Sequence, residues 1–164
     1  MQTLFNYRLP PMNFTGFINF FKPHKTVPVT PWRAEHRWQL SFSRVAILFF
    51  GLAIFGLGDS LLVQGDVGNA PWTVFSQGLT FKTGLSIGWA TFIISIFVLL
   101  VWIPLNERPG FGTLSNIVLI ATFIEVGTKI FPKQSSVLAG VLFSLLGIAM
   151  VGLGSALYIT CGLG

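Results

Sequence analysis

Four stretches of this sequence are apolar for about the length of a membrane crossing: Val45–Val63, Leu85–Pro104, Thr113–Ile130 and Val137–Ile159. At about 1.5 Å per helical residue, each comes close to the roughly 30 Å hydrocarbon core of a bilayer. Lipid offers a backbone no water to bond, so such runs must satisfy their own hydrogen bonds as α-helices. The composition agrees, with 52% of the 164 residues hydrophobic and 9% charged. An ordinary soluble domain carries roughly 25% charged residues. The expected fold class is therefore all-α, a polytopic transmembrane helical bundle with four spans.

The charge is concentrated at one end. Seven of the fifteen Asp, Glu, Lys and Arg residues precede Val45, and the net charge of +5 belongs mainly to that segment. This divides the chain into a basic N-terminal segment, 1–44, and a transmembrane domain, 45–164. Within the first, "FTGFINFFKPHK" (Phe14 to Lys25) mixes aromatics with flanking lysines, as a short interfacial helix does. Trp32 and Trp38 alternate with Arg33 and Arg37, a pattern suited to headgroups. Basic residues beside apolar spans point to a membrane surface rather than to nucleic acid. With the N-terminus cytoplasmic, the inner side holds that segment and Arg108, and the outer side holds Lys82, Lys129 and Lys133. The excess of basic residues inside favours this orientation, in a bacterial inner membrane. The Asn13-Phe14-Thr15 sequon then stays cytoplasmic and carries no weight.

Between the first two spans lies "QGDVGNAPWTVFSQGLTFKTG", with Asp66, Gly68, Pro71 and Trp72. Pro71 fits the first turn of a short helix. One reading is a re-entrant element whose helix N-terminus faces a solute, with Asp66 capping or coordinating there. The other is a structured turn anchored at the interface by Trp72. In "NERPG", Arg108, Pro109 and Gly110 form an inner turn, Arg108 anchoring it on carbonyls or headgroups.

The sequence also repeats. "GLAIFGLGDSLLVQGDVG" from Gly51 lies without gaps over "GIAMVGLGSALYITCGLG" from Gly147. Gly51, Gly56 and Gly58 fall on Gly147, Gly152 and Gly154, all expected to let helices approach closely, as are Gly84 and Gly88. Three crossings separate the copies, which inverts the second relative to the first, as in inverted-repeat transporters. A 3+3 inverted repeat would need two further helices, so the chain is expected to be the first two-thirds of a six-helix protein; the plainer reading is a four-helix protein with one duplicated helix.

Asp59 and Glu125 are the acids inside proposed spans. Ionisable groups in lipid are costly and mark function by default. Both are displaced outward from mid-membrane, where they could share one cavity and hold a proton or cation between them. The alternative for Glu125 is a helix pair with Lys129 one turn on. The single cysteine, Cys161, excludes a disulfide framework, and His24 and His36 have no partners at metal-ligand spacing. No phosphate loop and no nucleophilic triad is present, so neither enzyme chemistry, metal nor cofactor is expected.

"GDVGNAPWTV" (Gly65 to Val74), "GLSIG" (Gly84 to Gly88) and "WIPLNERPGFGTLSN" (Trp102 to Asn116) resemble the signatures of YczE/YyaS-like bacterial membrane proteins, related to YitT. The resemblance covers about Val45 to Gly164 and implies an inner-membrane protein. It also implies a Gly-Pro-Arg-Asp-Gly motif soon after a second glycine helix, a point this chain stops short of. The sequence departs from the pattern at Asp59, where a small or apolar residue is expected, and at Thr73, where many members carry Asp. The function expected from this architecture is transport of a small molecule or ion at the repeat interface. The alternative is a membrane helper that binds a partner protein. The expected partners are the lipid bilayer and that solute, with room for a homo-oligomer and no role for nucleic acid.

Overall fold

The computed structural model describes residues 29–164. The expected interfacial helix at Phe14–Lys25 and the sequon at Asn13 lie outside the described residues. Within them the chain forms five helices: α1 (Phe42–Gly65), α2 (Pro71–Thr83), α3 (Ile87–Trp102), α4 (Phe111–Ile130) and α5 (Val137–Thr160). No strand occurs among the described residues, and the molecule is a helical membrane bundle. Three helices, α1, α4 and α5, are long and apolar enough to cross a membrane. The expected second span differs: α3 is shorter than the run Leu85–Pro104, and with α2 it makes one broken element bent by 114°.

Local chemistry sets these boundaries. The Ser41 hydroxyl accepts the Arg44 N–H and opens α1. Asp66, in the left-handed region at φ 57°, ends it. Pro71 opens α2 at its first turn, where a missing N–H costs nothing. Gly84 closes α2 at φ +73° with its N–H on the Thr80 carbonyl. No atom outside its immediate neighbours lies within 4 Å of a Cβ at Gly84. Gly84 is thus a helix stop rather than the packing residue the Gly-x-x-x-Gly spacing suggests.

The bundle is built on α1. Antiparallel to it runs α5, and the two touch through glycines: Gly51 meets Gly154, Gly58 meets Gly147 and Gly65 meets Gly140. A Cβ on Gly58 would lie 2.9 Å from the Gly147 carbonyl oxygen, and one on Gly147 2.7 Å from that of Gly58. Backbones this close are what small residues allow in lipid, where packing replaces the hydrophobic drive. The repeat gives this contact a particular form, because each glycine of one copy meets the counterpart of the other glycine. Antiparallel packing of two helices whose glycines share a seven-residue spacing produces this exchange. On its other side α1 packs parallel to α4, Gly56 against Ile120, Phe123 and Ile124, and Ser60 against Gly127. Gly152 stands apart, since a Cβ there would meet nothing within 4 Å. It does not do the packing its place in the repeat led one to expect.

Both ends are tied by long-range bonds. At the Gly110 end, Trp32 Nε1 donates to Thr160 Oγ1 at 3.1 Å, Ala34 N to the Cys161 carbonyl at 2.8 Å and Gly112 N to the Leu163 carbonyl at 2.7 Å. The segment before α1 therefore packs beneath the bundle, with Ala34 beside Leu48, Leu52, Ile120, Cys161 and Leu163 in the core. The Arg37 guanidinium bonds the carbonyl of Arg108. The turn before α4 is thus held through the Arg108 backbone. At the opposite end Gln64 Nε2 donates to the carbonyls of Thr128 and Phe131, and Lys133 pairs with Asp66 at 2.9 Å.

Candidate functional site

Asp59 lies on α1 about 9 Å short of its Gly65 end, at 1.5 Å per residue. It is 6% exposed. Its Oδ2 accepts the hydroxyl of Thr73 at 3.1 Å, and Thr73 is itself buried, at 1% exposure. Thr73 is the third residue of α2. The carboxylate of α1 therefore sits at the N-terminal turn of the broken element's first half. Ala70, the residue before that turn, has no capping side chain. The unpaired N–H groups and partial positive charge of a helix start favour a carboxylate there.

Glu125 on α4 does the same for the second half. Its Oε2 accepts the N–H of Gly88, the second residue of α3, at 3.0 Å, while Oε1 pairs with Lys129 at 2.8 Å. Gly88 is required for this approach, because a Cβ there would fall 2.7 Å from the Ala121 carbonyl oxygen and 2.6 Å from the Glu125 Cβ. With Gly56 set against Ile120–Ile124 and Ser60 against Gly127, Asp59 and Glu125 lie at a similar level along the bundle.

The two acids do not form the shared cavity expected of them. Each has its own partner: Thr73 for Asp59, and Gly88 with Lys129 for Glu125. Glu125 lines a cleft of about 360 Å³ between α3 and α4 with Trp89, Phe92 and Thr122, and Asp59 is not among its walls. Among the described residues no group of three His, Cys, Asp or Glu could hold a metal. Asp66 is not at the start of α2 but at the surface on Lys133, and Gly68 has nothing near it. Pro71 opens α2, and Trp72 lines a separate hollow against α3 and α4.

Sequence reasoning paired Asp59 with Glu125 and named Thr73 only as a departure from the resembled pattern. Asp59 and Thr73, both departures from that pattern, are hydrogen-bonded to each other. Ser60 and Ser76 also went unnoticed, although both are wholly buried, Ser60 on the Leu57 carbonyl and Ser76 on that of Trp72. A weak signal existed for Ser76, which lies three residues after Thr73 and so shares its face of the helix.

Residues 42–164 match the model of a family of unknown function, DUF6198. An uncharacterized protein of Haemophilus influenzae is 44% identical over 143 residues, which are 87% of this chain and 66% of that protein. The uncharacterized membrane protein YczE of Bacillus subtilis is 32% identical over 74% of this chain and 57% of its own length. The uncharacterized protein YyaS of the same organism is 29% identical over 66% and 56%. The chain thus spans between just over half and two-thirds of the length of these relatives. No solved structure matches.

Proposed function

We propose that this chain, which belongs to the DUF6198 family, carries the path of a small-solute transporter in which a carboxylate-held half-helix is the moving part. Similarity to YczE and YyaS agrees with the resemblance in the sequence, and the membrane character is common ground with YczE. The observation that carries the transport reading is the Asp59–Thr73 bond. It places an ionisable group of a spanning helix at the start of a half-helix, beside a 114° break. Broken helices whose N-termini point into the membrane are how many transporters build their sites.

The chemistry follows from the helix start. An ionised Asp59 is drawn to the N-terminal turn of α2; a protonated one loses most of that attraction. Arrival of a proton or cation therefore weakens the tie between α1 and α2 and lets α2 shift against the spanning helices. Helices α1 and α5 act as the opening helices of two inverted repeats, a reading supported by the exchanged Gly51–Gly154 and Gly58–Gly147 contacts. No covalent chemistry is required. The inner membrane with Arg33, Arg37, Arg44 and Arg108 on the cytoplasmic side is the matching location and orientation.

Replacing Asp59 with Asn keeps the shape and removes the charge. In proteoliposomes loaded with a pH-sensitive dye, wild-type protein should couple proton movement to a solute drawn from a small-metabolite panel. Asp59→Asn should lower that movement at least about tenfold, at unchanged abundance and elution profile. Unaltered coupling in the variant would sink the role of Asp59, and no movement by the wild type with any solute would favour the helper.

A further inference from the structure

The hollow that Trp72 lines is the strongest feature the two carboxylates leave unexplained. It has a volume of about 170 Å³ and lies between the first turn of α2, the second half of α3 and the first turns of α4. Its polar and aromatic lining is Trp72, Ser95, Trp102, Thr113 and Asn116, with aliphatic walls from α3 and α4. Trp102, Thr113 and Asn116 are shared with an adjoining hollow of about 430 Å³, to which α5 adds Tyr158. The two together lead from the Gly110 end of the bundle up to Trp72, whose neighbour Thr73 holds Asp59.

Three features define what could sit there. First, among the described residues no Asp, Glu, Lys, Arg or His side chain lines either hollow. The charged side chains lie instead on other cavities, Glu125 on the α3–α4 cleft and Arg37, Glu107 and Arg108 at the turn before α4. An ion there would gain no counter-charge from these side chains to offset the water it gives up. Second, the half-buried Asn116 amide makes no hydrogen bond to any described residue. It offers an acceptor and a donor side by side in one plane. Third, two indoles border the same space, Trp72 and Trp102, without ring contact between them among the described residues. Aromatic faces hold planar rings by stacking.

We propose that this hollow binds an uncharged planar heterocycle whose edge carries a hydrogen-bond donor beside an acceptor. Asn116 pairs with that edge, in the two-bond manner by which asparagine reads adenine. Trp72 and Trp102 cover the ring faces, and Ser95 and Tyr158 take further polar edges. Because Trp72 and Thr73 are adjacent on α2, a ring held at Trp72 and a proton held at Asp59 act on the same helix turn. The proposal rests on the transport reading for its purpose, while binding is measured without transport.

The test is equilibrium dialysis of purified protein in detergent with radiolabelled uracil and adenine, both neutral and planar. Orotate, the uracil ring with a carboxylate, tests charge, and 1,3-dimethyluracil, with its N–H groups blocked, tests the edge. At least one neutral probe should bind saturably. Orotate and dimethyluracil should bind at least about tenfold more weakly than uracil where uracil is the binder, and Asn116→Leu should weaken the neutral probe by a similar factor. Trp72→Ala should do the same, with an unchanged elution profile for both variants. No saturable binding of either neutral probe overturns the proposal. So does equal binding of orotate or of the edge-blocked ring, or full binding by Asn116→Leu. Normal probe binding in a protein that moves no solute would leave this inference standing and defeat the transport reading, and the converse pair of results would do the reverse.

Discussion

At the scale of single residues, burial decides which polar groups matter. Asp59 and Glu125 looked equivalent in the sequence, two acids in two apolar runs. Asp59 is buried on Thr73, whereas Glu125 is bonded to Lys129, itself largely exposed. Cys161 offers a check on how tightly the Gly110 end is closed. Its side chain is fully buried, its thiol donates to the Leu157 carbonyl at 3.3 Å, and it packs with Ala34 and Leu163. Burial pushes that thiol up from its ordinary value, with the Arg44 charge pulling the other way. Since the thiolate is the reactive form, a raised value leaves less of it at any given pH. Maleimide labelling of the folded protein should therefore be slow and become complete in denaturing detergent; rapid labelling of the folded state would contradict the packing of 30–44 beneath the bundle.

At the scale of elements, the glycines separate by partner. Gly147 and Gly152 lie on the same helix and one and a half turns apart, and the sequence treats them alike. Gly147 faces the α1 backbone and Gly152 faces nothing. Gly147→Leu must displace α1 and should cost about 1–3 kcal/mol or more. Gly152→Leu should be neutral or slightly stabilising through better helix propensity. Unfolding of the two variants in increasing dodecyl sulfate compares them directly, and equal destabilisation would refute the α1–α5 contact described above. The broken element behaves differently, because its break is written locally. Pro71 starts α2, Gly84 stops it at a positive φ, and Ser86 precedes α3. The Pro71 start was legible, and with it a short helix, whereas Gly84 was expected to pack rather than to stop it. The 114° bend between the halves of the broken element was not legible.

For the molecule as a whole, the arginines provide the polarity. Arg33, Arg37, Arg44 and Arg108 gather at the end where α1 and α4 begin and α5 finishes, while Lys129 and Lys133 mark the other. With the Arg end cytoplasmic, a cysteine placed at Glu107 should react with a membrane-impermeant maleimide only in inside-out vesicles. One placed at Lys133 should react only from the outside of intact cells after outer-membrane permeabilisation. The reverse pattern would invert the orientation and with it the side on which the Trp102–Asn116 hollow opens.

The sequence by itself determined the solvent and the elements. Apolar runs with so few charges have one low-energy backbone in lipid, and that argument needs no neighbour. Start and stop residues act within a turn of where they stand, so Pro71 could be read in place. The repeat was equally visible, being a property of the string. Only the tertiary structure decided which groups meet. The Asp59–Thr73 bond, the cap of Glu125 on Gly88 and the exchange of Gly51 and Gly58 for Gly154 and Gly147 all join residues on different helices. Helix rotation and the tilt of α2 set those meetings, and both depend on close packing summed over many side chains rather than on any local preference. Asn116 gave no signal for the same reason, and Trp72 was singled out only for its place beside Pro71. Their significance lies in the space between them, which the folded bundle creates.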